Sequence, residues 1–370
     1  MLQAKYLSPI LLLSASIVLV LASACAAPAA TPVTVEEAQK VSTEAPVEKP
    51  YSGTQIVVDG SGHLYGPLPV IFYALTALDG IDIYPLGDDA FSLFGLYDSG
   101  STKVRINNLY PPNRVSGPNW NNSDAGHLKL TGVETVNLRL NGVNERRSDG
   151  SIPIGPLGSG NEPQVDVPKL AVMPDEVDVT LIGAPVVNQL IAVIDYTTLV
   201  TDQAMEYAGT GVRPPSMYLY WPQEVKPTPG ISLKLESFGN LVSADATPGY
   251  RYWLRDVDFQ HGNSVANDQL MKFDYLFDTG TTMTLINDRV ASSLALSSAE
   301  ADFDCFGKTG AGYYLDSVTM HGFEGSYTIK NAAVCWAQDK IATGDAVIGS
   351  NFFDQVQIIV DGPGNILGIS

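Results

Sequence analysis

Short apolar stretches separated by Gly, Asn and Asp turns follow one another along most of the chain after residue 52. Many of them alternate apolar with polar residues or run apolar between turns, which is typical of β-strands. Amphipathic helical periodicity is rare, and 287–296 is a short helix candidate. The pattern predicts an all-β or nearly all-β fold, with strands at 55–58, 127–130, 135–140, 231–235, 326–329 and 356–360.

The first 25 residues have the pattern of an export signal. The apolar run over 10–21 is too short for a comfortable membrane span. Cys25 follows small residues, as the lipidated cysteine of a bacterial lipoprotein signal does, although Leu21 lies four residues before it rather than three. Ala22-x-Ala24 would also serve an ordinary signal peptidase. Both interpretations place the mature chain outside the cytoplasm, and the first predicts a lipid anchor at Cys25 in the cell membrane.

Composition excludes several classes of function. The 40 acidic residues outnumber the 21 basic ones and give a formal charge of −19, which would repel nucleic acid. None of the four histidines lies in an H-E-x-x-H motif, and no G-x-S-x-G motif accompanies them. The sequence therefore predicts no zinc hydrolase, no serine triad and no bound metal or cofactor.

Two cysteines remain after the signal, Cys305 and Cys335. An even pair in an oxidising compartment favours a disulfide, and two separate buried thiols are the alternative. Neither cysteine has a neighbour at metal-ligand spacing, so the pair does not indicate zinc.

An internal duplication organises the chain. Residues 94–107 read FGLYDSGSTKVRIN and residues 274–287 read DYLFDTGTTMTLIN, and a shift of 180 aligns them without a gap. Residues 181–196 (LIGAPVVNQLIAVIDY) and 347–362 (VIGSNFFDQVQIIVDG) align with a shift of 166. Two elements repeated in the same order predict two similar lobes.

The duplication and the composition set the predicted boundaries. The first lobe is expected over 53–216 and the second over 229–370, with a Pro-rich connection at 217–228. Residues 26–52 are rich in Ala, Pro, Thr, Val and Glu without a sustained period, which indicates a flexible tether.

Each first element places an aspartate on a tight Gly turn after an apolar strand, at Asp98 and Asp278. Two such turns related by approximate symmetry could bring the carboxylates together, and close carboxylates share a proton. One then acts as general base on a water while the other acts as general acid toward a carbonyl. Ser99 and Thr279 could hydrogen-bond across the pair of turns and fix their geometry.

DSGS at 98–101 and DTGT at 278–281 resemble the two active-site motifs of pepsin-like aspartic peptidases. The resemblance covers about 53–370 and implies a two-lobed acid-protease fold of β-barrel-like lobes, with Asp98 and Asp278 as the catalytic pair. Cys305–Cys335 is similar in place to a disulfide of the family's second lobe. The resemblance further implies residues that support the dyad or pass behind its loops: Ser99, Gly100, Ser101, Thr279, Gly280, Thr281, Ile182, Gly183, Ile348 and Gly349. Among these, the hydroxyls of Ser101 and Thr281 are expected to donate to the carboxylates.

The chain departs from the family pattern over the cleft. The family carries a tyrosine on a hairpin flap, whereas 126–144, where that hairpin is expected, contains none. Leu128, Leu130 or Val133 is expected to close the cleft instead. Lys103 and Arg105 are also unusual, because a strand behind a catalytic loop is normally apolar.

Two functions follow as hypotheses. The first is a monomeric aspartic endopeptidase that cleaves peptide or protein substrates in an interlobe cleft, with an acidic optimum because Ser and Thr follow the two D-x-G units. The second is a catalytically inactive protein on a peptidase scaffold that binds peptides or proteins at the cell surface. The missing flap tyrosine and the charged Lys103 and Arg105 motivate the second.

Overall fold

The computed structural model of the protein describes most of the chain after residue 55, in segments. The predicted signal 1–25 with Cys25, the tether 26–52 and Cys305 lie outside the described residues. Among the residues that are described, no helix is both long enough and apolar enough to cross a membrane. The described residues are 56–59, 68–76, 78, 93–107, 120–122, 128–130, 132–141, 164–175, 180–198, 215–224, 228–239, 249–297, 301–304, 309–337, 341 and 343–370.

Strands make up most of the described elements, so the fold is mainly β, as the alternating pattern predicts. The described α-helices are short and are α1 (Ala184–Val187), α2 (Asp268–Met271) and α3 (Asp288–Ser293), and 3-10 turns lie at Tyr196–Thr198 and Ser350–Phe352. The strands, numbered in chain order, are β1 Ile56–Asp59, β2 Val70–Thr76, β3 Leu93–Tyr97, β4 Val104–Asn107, β5 Trp120–Asn122, β6 Leu128–Leu130, β7 Glu134–Asn141, β8 Gln164–Asp175, β9 Thr180–Ile182, β10 Ile191–Asp195, β11 Ser216–Tyr220, β12 Ile231–Phe238, β13 Arg251–Leu254, β14 Val257–His261, β15 Ser264–Asn267, β16 Tyr275–Phe277, β17 Leu285–Ile286, β18 Ala301–Asp304, β19 Thr309–Gly322, β20 Gly325–Trp336, β21 Ala346–Ile348, β22 Gln357–Asp361 and β23 Ile366–Ile369.

The predicted helix at 287–296 is confirmed as α3, which is shorter than the prediction. Asn287 caps it, because its side-chain oxygen accepts hydrogen bonds from the N–H groups of Arg289 and Val290 at 3.0 and 3.1 Å. All six predicted strand segments also fall on observed strands.

In the first half of the chain, six strands close into a barrel in the order β2-β3-β9-β4-β8-β7. Successive side chains of a strand point to opposite faces, and in β4 the side chains of Val104 and Ile106 are buried inside the barrel. Lys103, just before the strand, and Arg105 are only half-buried. The two charged residues that looked unusual in the sequence therefore do not enter the barrel core.

The second half of the chain forms most of a 15-stranded sheet and repeats the pairing of the barrel. β3 pairs with β9 in parallel, and β16 pairs with β21 in the same way. β4 and β17 then pair antiparallel with β9 and β21, respectively. The sequence repeat is thus also a repeat of strand topology.

Strands from both halves join at β10 and β22, which pair antiparallel within the run β1-β11-β10-β22-β23-β12. Val193 lies opposite Ile359 in this pairing. The same two residues are related by the 166-residue shift of the repeat. An approximate twofold axis therefore passes between them, and the halves share one sheet.

Most of the buried apolar side chains of the described residues form one continuous core that runs through both halves. A smaller cluster covers the other face of the second-half sheet and is built on Leu276, Leu285, Cys335 and Val347. Cys335 is fully buried there. Because Cys305 is outside the described residues, the disulfide between the two stays a prediction.

Candidate active site

Asp98 and Asp278 each follow the last residue of a strand, β3 and β16. The backbone N–H of Asp98 donates to the carbonyl of Ile182 at 3.1 Å, and that of Asp278 donates to the carbonyl of Ile348 at 3.1 Å. Each aspartate therefore begins its turn while it is still tied to the neighbouring parallel strand. Both turns leave the sheet with the same geometry.

The residues after Ile182 and Ile348 pass directly behind the two turns. Gly183 and Gly349 leave no room for a side chain, since a Cβ there would lie 2.7 Å from the Ser101 carbonyl oxygen and 2.9 Å from that of Thr281. The next N–H groups, of Ala184 and Ser350, donate to the same carbonyls at 2.7 and 2.8 Å. Each turn is thus held from behind by an equivalent backbone hydrogen bond.

Ser99 and Thr279 link the two turns to each other through four hydrogen bonds. The N–H of Ser99 donates to the Thr279 hydroxyl at 3.1 Å, and the N–H of Thr279 donates to the Ser99 hydroxyl at 3.0 Å. The hydroxyls in turn donate across the axis, Ser99 to the Phe277 carbonyl at 3.1 Å and Thr279 to the Tyr97 carbonyl at 2.6 Å. Both side chains are buried, so this lattice fixes one turn relative to the other.

Apart from its contact with the Asp278 carboxyl group, Asp98 accepts hydrogen bonds from backbone groups. Its Oδ1 accepts from the N–H groups of Gly100 and Ser101 at 2.9 and 2.8 Å. The Ser101 hydroxyl donates to the Lys103 carbonyl at 3.0 Å. The expectation that this hydroxyl donates to the carboxylate is therefore wrong, and the backbone N–H takes that place.

Asp278 has a different set of donors. Its Oδ1 accepts from the N–H of Gly280 at 2.8 Å. Its Oδ2 accepts from the Thr281 hydroxyl at 2.7 Å, in the geometry expected from the sequence. The two halves thus share a backbone fold but differ in the side-chain support of their carboxylates.

The two carboxyl groups meet across the axis and are hydrogen-bonded to each other. Gly100 lies against the opposite carboxyl group, since a Cβ on it would lie 2.7 Å from Oδ1 of Asp278. Gly280 is related in the same way to Asp98, with a Cβ position 2.7 Å from its Cγ. Any side chain at either glycine would push the carboxyl groups apart, which explains why each motif needs a glycine at this place.

Burial raises the pKa of the Asp98 carboxyl well above its ordinary value, and the charge of Asp278 and the hydrogen bond with it raise that pKa further. The N–H groups of Ser101 and Gly100 act in the opposite direction with a smaller effect. Two adjacent carboxyl groups cannot both ionise cheaply, so they hold one proton between them. The raised pKa means that the Asp98 carboxyl stays protonated to a higher pH than an ordinary aspartate does.

The hairpin expected between 126 and 144 is formed differently in the described residues. β6 pairs with β5, whereas β7 pairs with β2 and β8. Leu130, one of three residues expected to close the cleft, is fully buried in the core, and Val133 is half-buried. The side chain of Leu128 is outside the described residues.

Arg251 lies near the carboxyl pair and has no counterpart in the repeats. Burial lowers the pKa of its guanidinium, while the carboxylates of Asp278 and Asp98 raise it. Residue 251 belongs to neither repeated element, so the alignment of the two halves carries no signal for it.

Among the described side chains, no group of three or more His, Cys, Asp or Glu residues could hold a metal ion.

No protein-family model matches the chain, and no curated protein matches it. Similar solved structures include an aspartic proteinase from Irpex lacteus, with 11% identity, a TM-score of 0.44, and coverage of 85% of this chain and 97% of that one. The structure titled edgp has 10% identity, a TM-score of 0.43, and coverage of 87% and 96%. Conglutin gamma, a basic 7S globulin from lupine seeds, has 8% identity, a TM-score of 0.42, and coverage of 82% and 95%.

What defines the molecule is its own topology: a mainly-β fold of two repeated halves, joined in one sheet, with a pair of carboxyl groups between two equivalent turns.

Proposed function

We propose that the protein is an aspartic endopeptidase that hydrolyses peptide bonds with a water activated by Asp98 and Asp278. The observation that supports this most strongly is the pair of carboxyl groups that hydrogen-bond to each other across the twofold axis. A structural protein has no need to keep two carboxyl groups together, since their proximity costs free energy. Catalysis by the pair explains why the protein keeps the two carboxyl groups close despite this cost in free energy.

The two carboxyl groups take different roles. Asp98 carries the shared proton and donates it to the carbonyl oxygen of the substrate, and Asp278 accepts a proton from the attacking water. The resulting tetrahedral diol then collapses: the proton on Asp278 goes to the leaving amine, and a hydroxyl of the diol returns a proton to Asp98. Atoms and protons balance over the cycle, and no covalent enzyme intermediate forms.

The hydrogen bonds around the pair support these roles. Donors occupy both oxygens of Asp278, from the Gly280 N–H and the Thr281 hydroxyl, which suits it as the ionised proton acceptor. Both N–H donors to Asp98 go to its Oδ1, so its Oδ2 suits the shared proton. The buried lattice of Ser99 and Thr279 holds the turns before substrate binds, so little reorganisation is needed during reaction.

We further propose that the enzyme acts as a monomer outside the cytoplasm. The apolar run 10–21 and Cys25 support a lipid anchor, and 26–52 would tether the lobes 53–216 and 229–370 to the membrane. Mass spectrometry of the mature N-terminus tests this, because a lipidated Cys25 and an ordinary signal-peptidase cut give different masses.

The catalytic proposal is tested with the chain from residue 26 onward and a denatured protein mixture as substrate, from about pH 3 to about pH 7. Asp98→Asn and Asp278→Asn should each lower the cleavage rate by about a hundredfold or more. Asp166→Asn, a change at an exposed ion pair on the barrel, is the matched control and should cut normally. If the wild type and all three variants are folded and none of them cleaves the substrate, the proposal is contradicted.

A second candidate function is peptide binding without hydrolysis, on the same scaffold. The absence of a tyrosine from 126–144 favours it. A pepstatin-type transition-state mimic separates the two, because a working cleft should gain thermal stability on binding it.

A further inference from the structure

The chain segment that leads into β13 packs closely against the first half of the protein and is hydrogen-bonded to it. Gly249 packs so closely that a Cβ on it would lie 2.7 Å from the carbonyl oxygen of Thr102, which belongs to the stretch following the Asp98 turn. The N–H of Tyr250 donates to Oδ1 of Asn188 at 2.6 Å, and Nδ2 of Asn188 donates back to the Tyr250 carbonyl at 2.9 Å. Arg251 therefore follows a backbone that is fixed beside the Asp98 turn.

The side chain of Arg251 is held in a defined position. Tyr252 and Leu254 point into the core, so the alternation of the strand places Arg251 on the opposite face. Its Nη1 donates to the Thr343 hydroxyl at 3.0 Å, and its Cζ lies 5.1 Å from the ring centroid of Phe238. The guanidinium is thus ordered before any substrate arrives.

This guanidinium has no carboxylate partner among the described residues, although the protein has 40 acidic residues. Arg255 and Arg289 each form ion pairs with acidic side chains, whereas Arg251 forms none with the residues that the structure describes. Its Nε is buried and has no hydrogen-bond partner among them. A buried polar group without a partner needs an explanation, and a guanidinium presents planar donors that match a carboxylate.

We propose that Arg251 binds a carboxylate of the substrate beside the bond that is cut, so that the enzyme selects acidic peptides. The inference rests on the proposed function and deepens it. Gly249, two residues before Arg251, packs against Thr102 beside the Asp98 turn, and the charges of Asp278 and Asp98 act on the guanidinium, so Arg251 lies on the side of the protein that carries the dyad. The dyad uses its own charge for catalysis, which leaves a substrate carboxylate to complete the ion pair.

The probe is a set of octapeptides with a central Phe–Phe pair whose peptide bond is reduced and cannot be hydrolysed. Each peptide carries one Glu, or one matched Gln, at a single other position. Calorimetry on the wild type should show a preference for Glu of about tenfold at one position, as expected for a charge-assisted hydrogen bond. Each peptide is made with a free and with an amidated C-terminus, which separates a side-chain carboxylate from a terminal one.

Three variants make the test specific. Arg251→Gln should bind the Glu and Gln peptides equally, and Arg251→Lys should keep part of the preference because it retains charge without the planar donors. Arg139→Gln removes a positive charge that pairs with Asp166 on the barrel, and it should keep the full preference. Thermal unfolding of each variant establishes that it is folded before binding is compared.

Equal affinities for Glu and Gln at every position in the wild type, or a preference that survives in Arg251→Gln, would overturn the inference. Cleavage of the unreduced peptides separates a failure of the Arg251 inference from a failure of the proposed peptidase function. Cutting without any Glu preference leaves the peptidase standing and removes the role of Arg251. A Glu preference in binding that depends on Arg251, without any cutting, keeps that role and removes the peptidase.

Discussion

Ser101 and Thr281 stand at equivalent positions in the two turns but use their hydroxyls differently. Thr281 is buried and donates to Asp278, whereas Ser101 is half-buried and donates to the Lys103 carbonyl. The sequence makes Ser and Thr look interchangeable here, because the choice of acceptor depends on rotamer and burial. That choice separates the two carboxyl groups chemically, and only the folded structure determines it.

The lattice between the turns is the feature of single residues that the sequence predicts best. A Thr279→Val change keeps the shape of the side chain but removes the hydrogen bond to Tyr97 and the acceptor for Ser99 N–H. Buried partners left unsatisfied should lower the free energy of unfolding by about 2–4 kcal/mol. Urea denaturation measures this, and cleavage should fall as the turns loosen.

The matched control is Thr282→Val, because Thr282 is exposed three residues further on. It should change the free energy of unfolding by less than about 0.5 kcal/mol. If both variants lose the same free energy of unfolding, the hydrogen bonds between the turns do not stabilise the protein more than an exposed threonine does.

At the scale of elements, the parts of the site that repeat were predictable and the parts that do not repeat were not. Pairing of β3 with β9 and of β16 with β21 follows from two aligned motifs in a fixed order. The partner of β6 was not predictable, since the local alternation of a strand does not state which other strand it will pair with. The flap hypothesis depended on that partner and on residues such as Leu130, which is a core residue.

The element behind the second turn gives a direct test of close packing. Gly349 has ordinary extended backbone angles, so an alanine there is disfavoured only by the approach of Thr281 and Met283. Gly349→Ala should lower the free energy of unfolding by about 1–3 kcal/mol through overpacking and should also lower kcat by displacing the Asp278 turn.

Gly230→Ala is its control, because the nearest atom to a Cβ at Gly230 is the Ile369 carbonyl oxygen at 3.3 Å, a contact far from both turns. Its kcat should stay at the wild-type value. If kcat is unchanged in Gly349→Ala as well, the strand behind the turn does not position the carboxylate.

At the scale of the whole molecule, the shared sheet and the continuous core make the two halves one unit around the axis at Val193 and Ile359. The duplication predicted this symmetry from sequence. Arg251 breaks it, because residue 251 lies outside both repeated elements and is positioned by the long-range hydrogen bonds of the preceding residue, Tyr250, with Asn188. Under the proposed function, the pair of equivalent loops defines the reaction, while Arg251, outside the repeat, sets what the site accepts.

The pH dependence of the free energy of unfolding should reflect the raised pKa of Asp98. An unfolded aspartate titrates near a pKa of about 3.9, whereas the folded protein keeps the Asp98 proton to a higher pH. Between these two values the folded state binds more protons than the unfolded state, so the free energy of unfolding falls as pH rises through this window. In the Asp98→Asn variant residue 98 cannot titrate, so this contribution to the decrease in the free energy of unfolding should be absent.

Urea unfolding of the wild type and of Asp98→Asn, measured from about pH 3 upward, checks this linkage. The wild type should lose stability relative to the variant as pH rises above about 4, and the difference should level off once the folded carboxyl has ionised. Toward about pH 3, where the unfolded aspartate is largely protonated, the difference should level off, which makes the acid end an internal control for any change in packing. A difference that stays the same at every pH would mean that Asp98 does not retain the proton, and the roles of the two carboxyl groups would have to be reassigned.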